Sequence, residues 1–137
     1  MELWHRNEQA WNRYLYKSKG GMGIESVGQC ESWVKLKTGE YHFFEVKTQE
    51  VFDPPPFYGH GLPTWQVEKY LQMESDLSIV WHLVIFDMSD HHLYEQKLAT
   101  LETAAYIDTP KNPRRIYALD AYNIIFEDWR LLDAPKI

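Results

Sequence analysis

The chain of 137 residues has one cysteine, Cys30. A lone thiol makes no intrachain disulfide, so no covalent framework holds the fold and a reducing, intracellular setting is expected. The opening Met-Glu-Leu-Trp-His-Arg lacks an apolar signal core. No apolar run approaches the roughly 20 residues that a membrane-spanning helix needs. A soluble, cytoplasmic protein with no membrane partner is the expectation. An excess of basic charge is also missing, since 14 Lys and Arg stand against 20 Asp and Glu for a net charge of -6. That balance argues against indiscriminate binding to a polyanion. It leaves room for an enzyme of nucleic acids, because metal-binding acids concentrate negative charge at a site while a basic rim stands beside it. Cys/His clusters, heptads, internal repeats and low-complexity segments are absent from the sequence as well.

What is abundant is aromatic: 15% of residues, including six Trp and nine Tyr, enough to fill a core of ordinary globular composition. The length suits one domain with its own core and is short for two. We take residues 1–137 as a single domain, with a core over about 3–86 and C-terminal additions over about 87–137.

Local patterning gives the elements. Leu3 to Tyr16 reads as an amphipathic helix, with Trp4, Trp11, Tyr14 and Leu15 along one stripe, and the glycines between Lys17 and Gly23 stop it. Ile24 to Val27, Glu31 to Leu36 and Glu40 to Lys47 read as successive strands. The proline run Asp53-Pro54-Pro55-Pro56 cannot continue a central strand, and Val51 to Gly61 is expected to be a loop. Pro63 and Thr64 open a helix to about Glu74. Ile79 to Phe86 is too continuously apolar for an edge and reads as a buried strand. Beyond it, Asp87 to His91 reads as a turn, His92 to Leu98 as a strand, Leu98 to Ala105 as a short helix and Arg115 to Ala121 as a last strand. Asn123 to Leu132 is open between strand and helix. The sum is an α/β or α+β sandwich around a small mixed sheet.

One stretch invites a chemical reading. Along a strand Phe43-Phe44-Glu45-Val46-Lys47, the side chains of Glu45 and Lys47 share a face while Phe44 and Val46 take the other. A three-residue loop Lys37-Thr38-Gly39, with Gly39 in the left-handed region, pairs Leu36 with Glu40 and sets Glu31 opposite Glu45. Opposed carboxylates roughly 5 Å apart at Cβ repel unless a cation lies between them. A two-residue Thr38-Gly39 turn would instead put the two acids on opposite faces. On the following helix Gln66 and Tyr70 are four apart, stacked on one face with Lys69 adjacent. Lys69, Arg114 and Arg115 are candidates for contact with nucleic-acid phosphates, or plain solvated charges. His60, His91 and His92 read as ordinary polar surface, and His82 as a hydrogen-bonded core residue.

The order of these residues resembles the PD-(D/E)xK nuclease superfamily, which includes Holliday-junction resolvases, RecB-like exonucleases and VRR-NUC nucleases. The resemblance rests on Glu8 in the first helix, Glu31 on a strand, Glu45-Val46-Lys47, and Gln66-Val67-Glu68-Lys69-Tyr70 on the next helix. It covers Leu3 to Phe86 and implies a restriction-endonuclease-like αβββαβ core. It further implies that Glu31 and Glu45 bind Mg²⁺ (or Mn²⁺), joined by the Val46 carbonyl and by Glu8, and that Lys47 assists the attacking water. Gln66 and Tyr70 match a Gln-x-x-x-Tyr helix behind such a site. Departures are the Glu at position 31, preceded by Cys30 where the family has proline, and Glu25 as a rival for that place.

Hard oxygen donors without a Cys/His cluster suit Mg²⁺ or Mn²⁺ better than Zn²⁺. The functional expectation is a metal-dependent nuclease of DNA, with RNA left open, acting in DNA repair or recombination. An endonuclease selective for structure, working as a homodimer, is favoured over an exonuclease. The alternative is a weakened or inactive nuclease-fold accessory protein that binds nucleic acid or a protein partner, a reading that the net negative charge and Glu31 favour.

Overall fold

The structure is a computed structural model and describes residues 2–19, 21–28, 32–52, 58–107 and 110–132. Helix α1 (Leu3–Lys17) buries Asn7, Ala10, Trp11 and Leu15 on one side. Its last turn closes where the Ser18 N–H donates to the Tyr14 carbonyl at 3.0 Å. Strands β1 (Ile24–Val27), β2 (Trp33–Leu36) and β3 (Tyr41–Gln49) then form an antiparallel meander.

The hairpin between β2 and β3 has the three-residue loop read from the sequence. Leu36 N–H donates to the Glu40 carbonyl and Gly39 N–H to the Leu36 carbonyl, each at 2.8 Å. Gly39 has φ +93°, a conformation open to glycine and strained for most side chains. The resulting register pairs Trp33 with Phe43, Val34 with His42 and Lys35 with Tyr41, and Phe44 N–H donates to the Ser32 carbonyl at 2.8 Å. Glu31, and with it the expected facing of Glu31 and Glu45, lies outside the described residues.

The chain continues through β4 (His60–Pro63) and helix α2 (Thr64–Asp76) to β5 (Ile79–Asp87). β5 lies parallel to β3 over nine pairs, from Tyr41 and Ile79 to Gln49 and Asp87. Its apolar run is explained by burial on both faces: Leu83, Val84, Ile85 and Phe86 are fully buried. Strands β6 (Leu93–Lys97) and β9 (Asn123–Phe126) extend the same sheet, in the order β1-β2-β3-β5-β6-β9. The element order α1, β1, β2, β3, α2, β5 is the αβββαβ order expected from the sequence, with β4 inserted before the second helix.

Apolar residues alternate across this sheet into two cores. On one side α1 packs Trp11 and Leu15 against Val34, Val84, Phe86 and Leu93. On the other, Val67 and Tyr70 of α2 meet Leu83, Ile85, Tyr94 and Tyr117.

The mixed sheet has six strands because the C-terminal strands join it. Three expectations need correction. The stretch 51–61, expected to be all loop, ends in β4, which builds a second sheet of order β4-β8-β7 with β7 (Ala105–Ile107) and β8 (Arg114–Tyr117). Gly61 makes that pairing close: a Cβ there would stand 1.8 Å from the Arg115 carbonyl oxygen. Leu98 to Ala105 is a single 3₁₀ turn, Leu98–Thr100, because Ala104 N–H is drawn to the Ile116 carbonyl at 2.8 Å and Ala105 enters β7. The strand expected over Arg115 to Ala121 stops at Tyr117, and Leu119–Ala121 is a 3₁₀ turn leading into β9.

His60 is corrected too, from polar surface to full burial. Its Nε2 meets Asp87 Oδ2, its Nδ1 faces Gln49 Oε1 at 3.2 Å, and its carbonyl accepts from Tyr122 Oη at 2.9 Å. Burial would push the Asp87 carboxyl up, but hydrogen bonds from His60 and from the Asp90 and Ser89 backbone outweigh it and hold the group below its ordinary range.

Candidate active site

Alternation along β3 sends Phe44 and Val46 toward α1 and Phe43, Glu45 and Lys47 toward the α2 side. Glu45 is the hinge of the site. Its Oε1 lies 3.1 Å from Lys47 Nζ, and its Oε2 accepts a hydrogen bond of 2.9 Å from the Tyr70 hydroxyl. Both Glu45 and Lys47 keep 21% and 30% of their side chains exposed, so the pair is open to solvent and to a ligand. Tyr70 is held in turn by its ring, which stacks on Trp81 at 3.8 Å and 8°. Burial first, and then the Glu45 charge and hydrogen bond, push the Tyr70 phenol well above its ordinary range, so it remains a donor at neutral pH.

Glu45 stands in a cleft of about 380 Å³ that Glu8, Ser32, Val46, Lys69 and Tyr70 also line, with Phe43 and Trp81 as walls. Three elements therefore supply polar groups to one hollow: α1 brings Glu8, β3 brings Glu45, and α2 brings Lys69 and Tyr70. Asn7, beside Glu8 on α1, ties the helix to β3 by donating to Thr48 Oγ1 at 3.0 Å. Ser32 donates to Asn12 Oδ1 at 2.7 Å, a second link between α1 and the β2 end of the cleft.

Other residues read from the sequence lie elsewhere. Gln66, one turn before Tyr70, is not in the cleft lining, and its Oε1 is buried with no partner among the described residues. Arg114 and Arg115 open β8 in the second sheet. Arg115 lies 3.6 Å from Glu68 of α2, and the Arg114 guanidinium sits over the Phe52 ring at 5.8 Å. Glu25 pairs with Lys35 at 3.4 Å. Trp81 and Phe43, which wall the cleft, were not singled out from the sequence; their apolar strand context carried no signal of a second use.

A different polar line crosses the α1 face of the sheet. His42 Nδ1 meets His82 Nε2 at 2.7 Å, His42 Nε2 faces Glu40 Oε1, and His82 Nδ1 contacts Glu95. Burial lowers the His42 pKa, partly offset by its hydrogen bond to Glu40 and reinforced by the neighbouring His82.

The donor set bears on metal binding. Two carboxylates, Glu45 and Glu8, border one cleft that Val46 also lines, and hard oxygen donors suit a small divalent cation. Among the described residues no three His, Cys, Asp or Glu side chains gather closely enough to hold an ion, and Glu31 falls outside them. No helix among the described residues is long and apolar enough to cross a membrane.

No family model and no curated protein matches the sequence. Among solved structures, the chain is similar to the Holliday junction resolvase Hjc of Archaeoglobus fulgidus, an archaeal hyperthermophile. The identity is 15% and the TM-score 0.48, over 83% of this chain and 90% of that one.

Proposed function

We propose that this chain, which resembles the PD-(D/E)xK nucleases in fold and in the order of its site residues, is a divalent-metal-dependent nuclease hydrolysing DNA phosphodiester bonds. The observation that carries the reading is Glu45, paired with Lys47 and hydrogen-bonded by Tyr70, in a cleft that Glu8 and Lys69 share. Glu45, Glu8, Glu31 and the Val46 carbonyl are the groups that would hold Mg²⁺ or Mn²⁺. Such an ion supplies a more acidic bound water and neutralises charge on the phosphoryl oxygens.

The chain's own residues have separate tasks. Lys47 stands beside Glu45 as the cation that holds the attacking water or a non-bridging oxygen. Tyr70 fixes the Glu45 carboxylate. Gln66 offers an acceptor that has no partner among the described residues, and Lys69, Arg114 and Arg115 bind phosphates of the strand. The substrate is DNA of a particular structure, cut internally by a homodimer in an intracellular repair or recombination setting; RNA is a second substrate to assay.

A second reading, an inactive nuclease-fold accessory protein, is favoured by one observation: both Glu45 oxygens already have protein partners. Cleavage of labelled single-stranded, duplex and four-way DNA in Mg²⁺ or Mn²⁺ separates the two. Wild type that cuts and Lys47→Ala that does not supports the nuclease. Equal cutting by both proteins removes Lys47 from the chemistry, and binding without cutting by wild type supports the accessory protein.

A further inference from the structure

On the α2 side of the central sheet, the register that places Glu45 also assembles a row of rings across three strands. Trp33 of β2, Phe43 of β3 and Trp81 of β5 are cross-strand neighbours, and Tyr41 lies two residues before Phe43 on the same face. The centroids are 5.9 Å apart for Trp33 and Tyr41, 6.5 Å for Tyr41 and Phe43, and 5.2 Å for Phe43 and Trp81. α2 packs over the β5 end of this row. Tyr41 is 36% exposed and Trp33 half-buried.

The row does not end in solvent. Phe43 and Trp81 are walls of the cleft that holds Glu45, so the rings lead from β2 to the candidate catalytic groups. Ammonium groups bracket the row. Lys35 Nζ lies 5.9 Å from the Tyr41 ring centroid at the outer end, and Lys69 lines the inner end with no ion-pair partner among the described residues. Trp81 Nε1 is buried beside the cleft without a hydrogen-bond partner among the described residues.

We infer that this aromatic floor binds unpaired nucleotides, so that the strand offered to Glu45 and Lys47 is single-stranded on the β2 side of the cleft. The inference rests on the nuclease reading and narrows its substrate to nucleic acid with an unpaired segment, a flap or a splayed arm. A row of part-exposed rings with cations beside it matches stacked bases on a phosphate chain, since every base has a π face whatever its sequence. A base pair inside a duplex hides those faces, so a continuous double helix cannot use the row. The chemistry also explains how a protein of net charge -6 holds a polyanion: stacking, which is indifferent to charge, supplies part of the affinity.

The test is equilibrium binding of fluorescein-labelled oligothymidylate and of a blunt duplex of the same length, in Ca²⁺ to prevent cutting. Wild type is expected to prefer the single strand. Tyr41→Leu and Trp33→Leu keep apolar volume but remove the ring, and each should weaken single-strand binding about tenfold while leaving duplex binding unchanged. Tyr41→Phe should retain it. Equal affinity for both substrates, or leucine variants that bind like wild type, overturns the inference. So does self-association in sedimentation that Tyr41→Leu abolishes, which would make the row an interface between copies. Lys47→Ala separates the two claims. Loss of cutting with the single-strand preference kept supports both, whereas a wild type that cuts without that preference defeats only the aromatic floor, and one that binds single strands without cutting defeats only the nuclease.

Discussion

The Tyr70 hydroxyl donates to Glu45 Oε2 at 2.9 Å while the same ring stacks face to face on Trp81 at 3.8 Å. A residue of α2 thus fixes a carboxylate of β3 using β5 as its backing. Tyr70→Phe removes the hydrogen bond and keeps the stack. A hydrogen bond to a charged group contributes about 1.5–3 kcal/mol, and the partial exposure of Glu45 lowers this to about 1 kcal/mol. The expected result in urea titration is a small loss of stability with unchanged m-value, together with weaker divalent-ion binding because Glu45 is freer to turn away.

The buried His60–Asp87 contact ties the second sheet to the end of β5. Asp87→Asn leaves His60 without its charged partner at a fully buried position, and breaking such a pair costs about 3–5 kcal/mol. The measurement is the urea midpoint of the variant at neutral pH.

The same group predicts a pH dependence. Folding holds the Asp87 pKa below its ordinary 3.8, so the unfolded chain takes up its proton first as the solution is acidified. The stabilisation is complete above about pH 4 and is lost as pH falls through the folded value. Wild type should lose stability more steeply than Asp87→Asn below pH 4, as followed by circular dichroism melts. Parallel curves would remove Asp87 from the acid transition.

At Gly61 the β4 backbone passes so close to β8 that a Cβ would sit 1.8 Å from the Arg115 carbonyl oxygen. The neighbour is backbone and cannot swing aside, so Gly61→Ala must separate the strands. Overpacking of this kind costs about 1–3 kcal/mol or more. Because α2 begins directly after β4, the variant should also disturb Tyr70 and reduce cleavage.

How much of this was legible depends on whether the cause was local. The Gly39 loop set the β2–β3 register from a few neighbouring residues, and the mostly apolar run of Ile79 to Phe86 announced a strand buried on both faces. That Glu45 and Lys47 share a face was readable because strand alternation is fixed geometry, whereas the hydrogen bond from Tyr70 to Glu45 joins residues 25 apart. The buried role of His60 was not, since its partner Asp87 is 27 residues away and its own surroundings of glycine and proline resemble a surface loop. β4 was hidden for the same reason: its pairing depends on Arg115 and Tyr117, far along the chain. The aromatic row was invisible because Trp33, Phe43 and Trp81 become neighbours only through two separate strand pairings.

The central claim is that Glu45 is the carboxylate around which a divalent ion is held, with Lys47 at its side. Titration of Mn²⁺ followed by electron paramagnetic resonance, on wild type and Glu45→Gln, tests it most directly. The account predicts a site in wild type that Mg²⁺ displaces and that Glu45→Gln weakens at least about tenfold, a loss of ~1.4 kcal/mol. Mn²⁺ binding equal in the two proteins, or none in wild type, would contradict it.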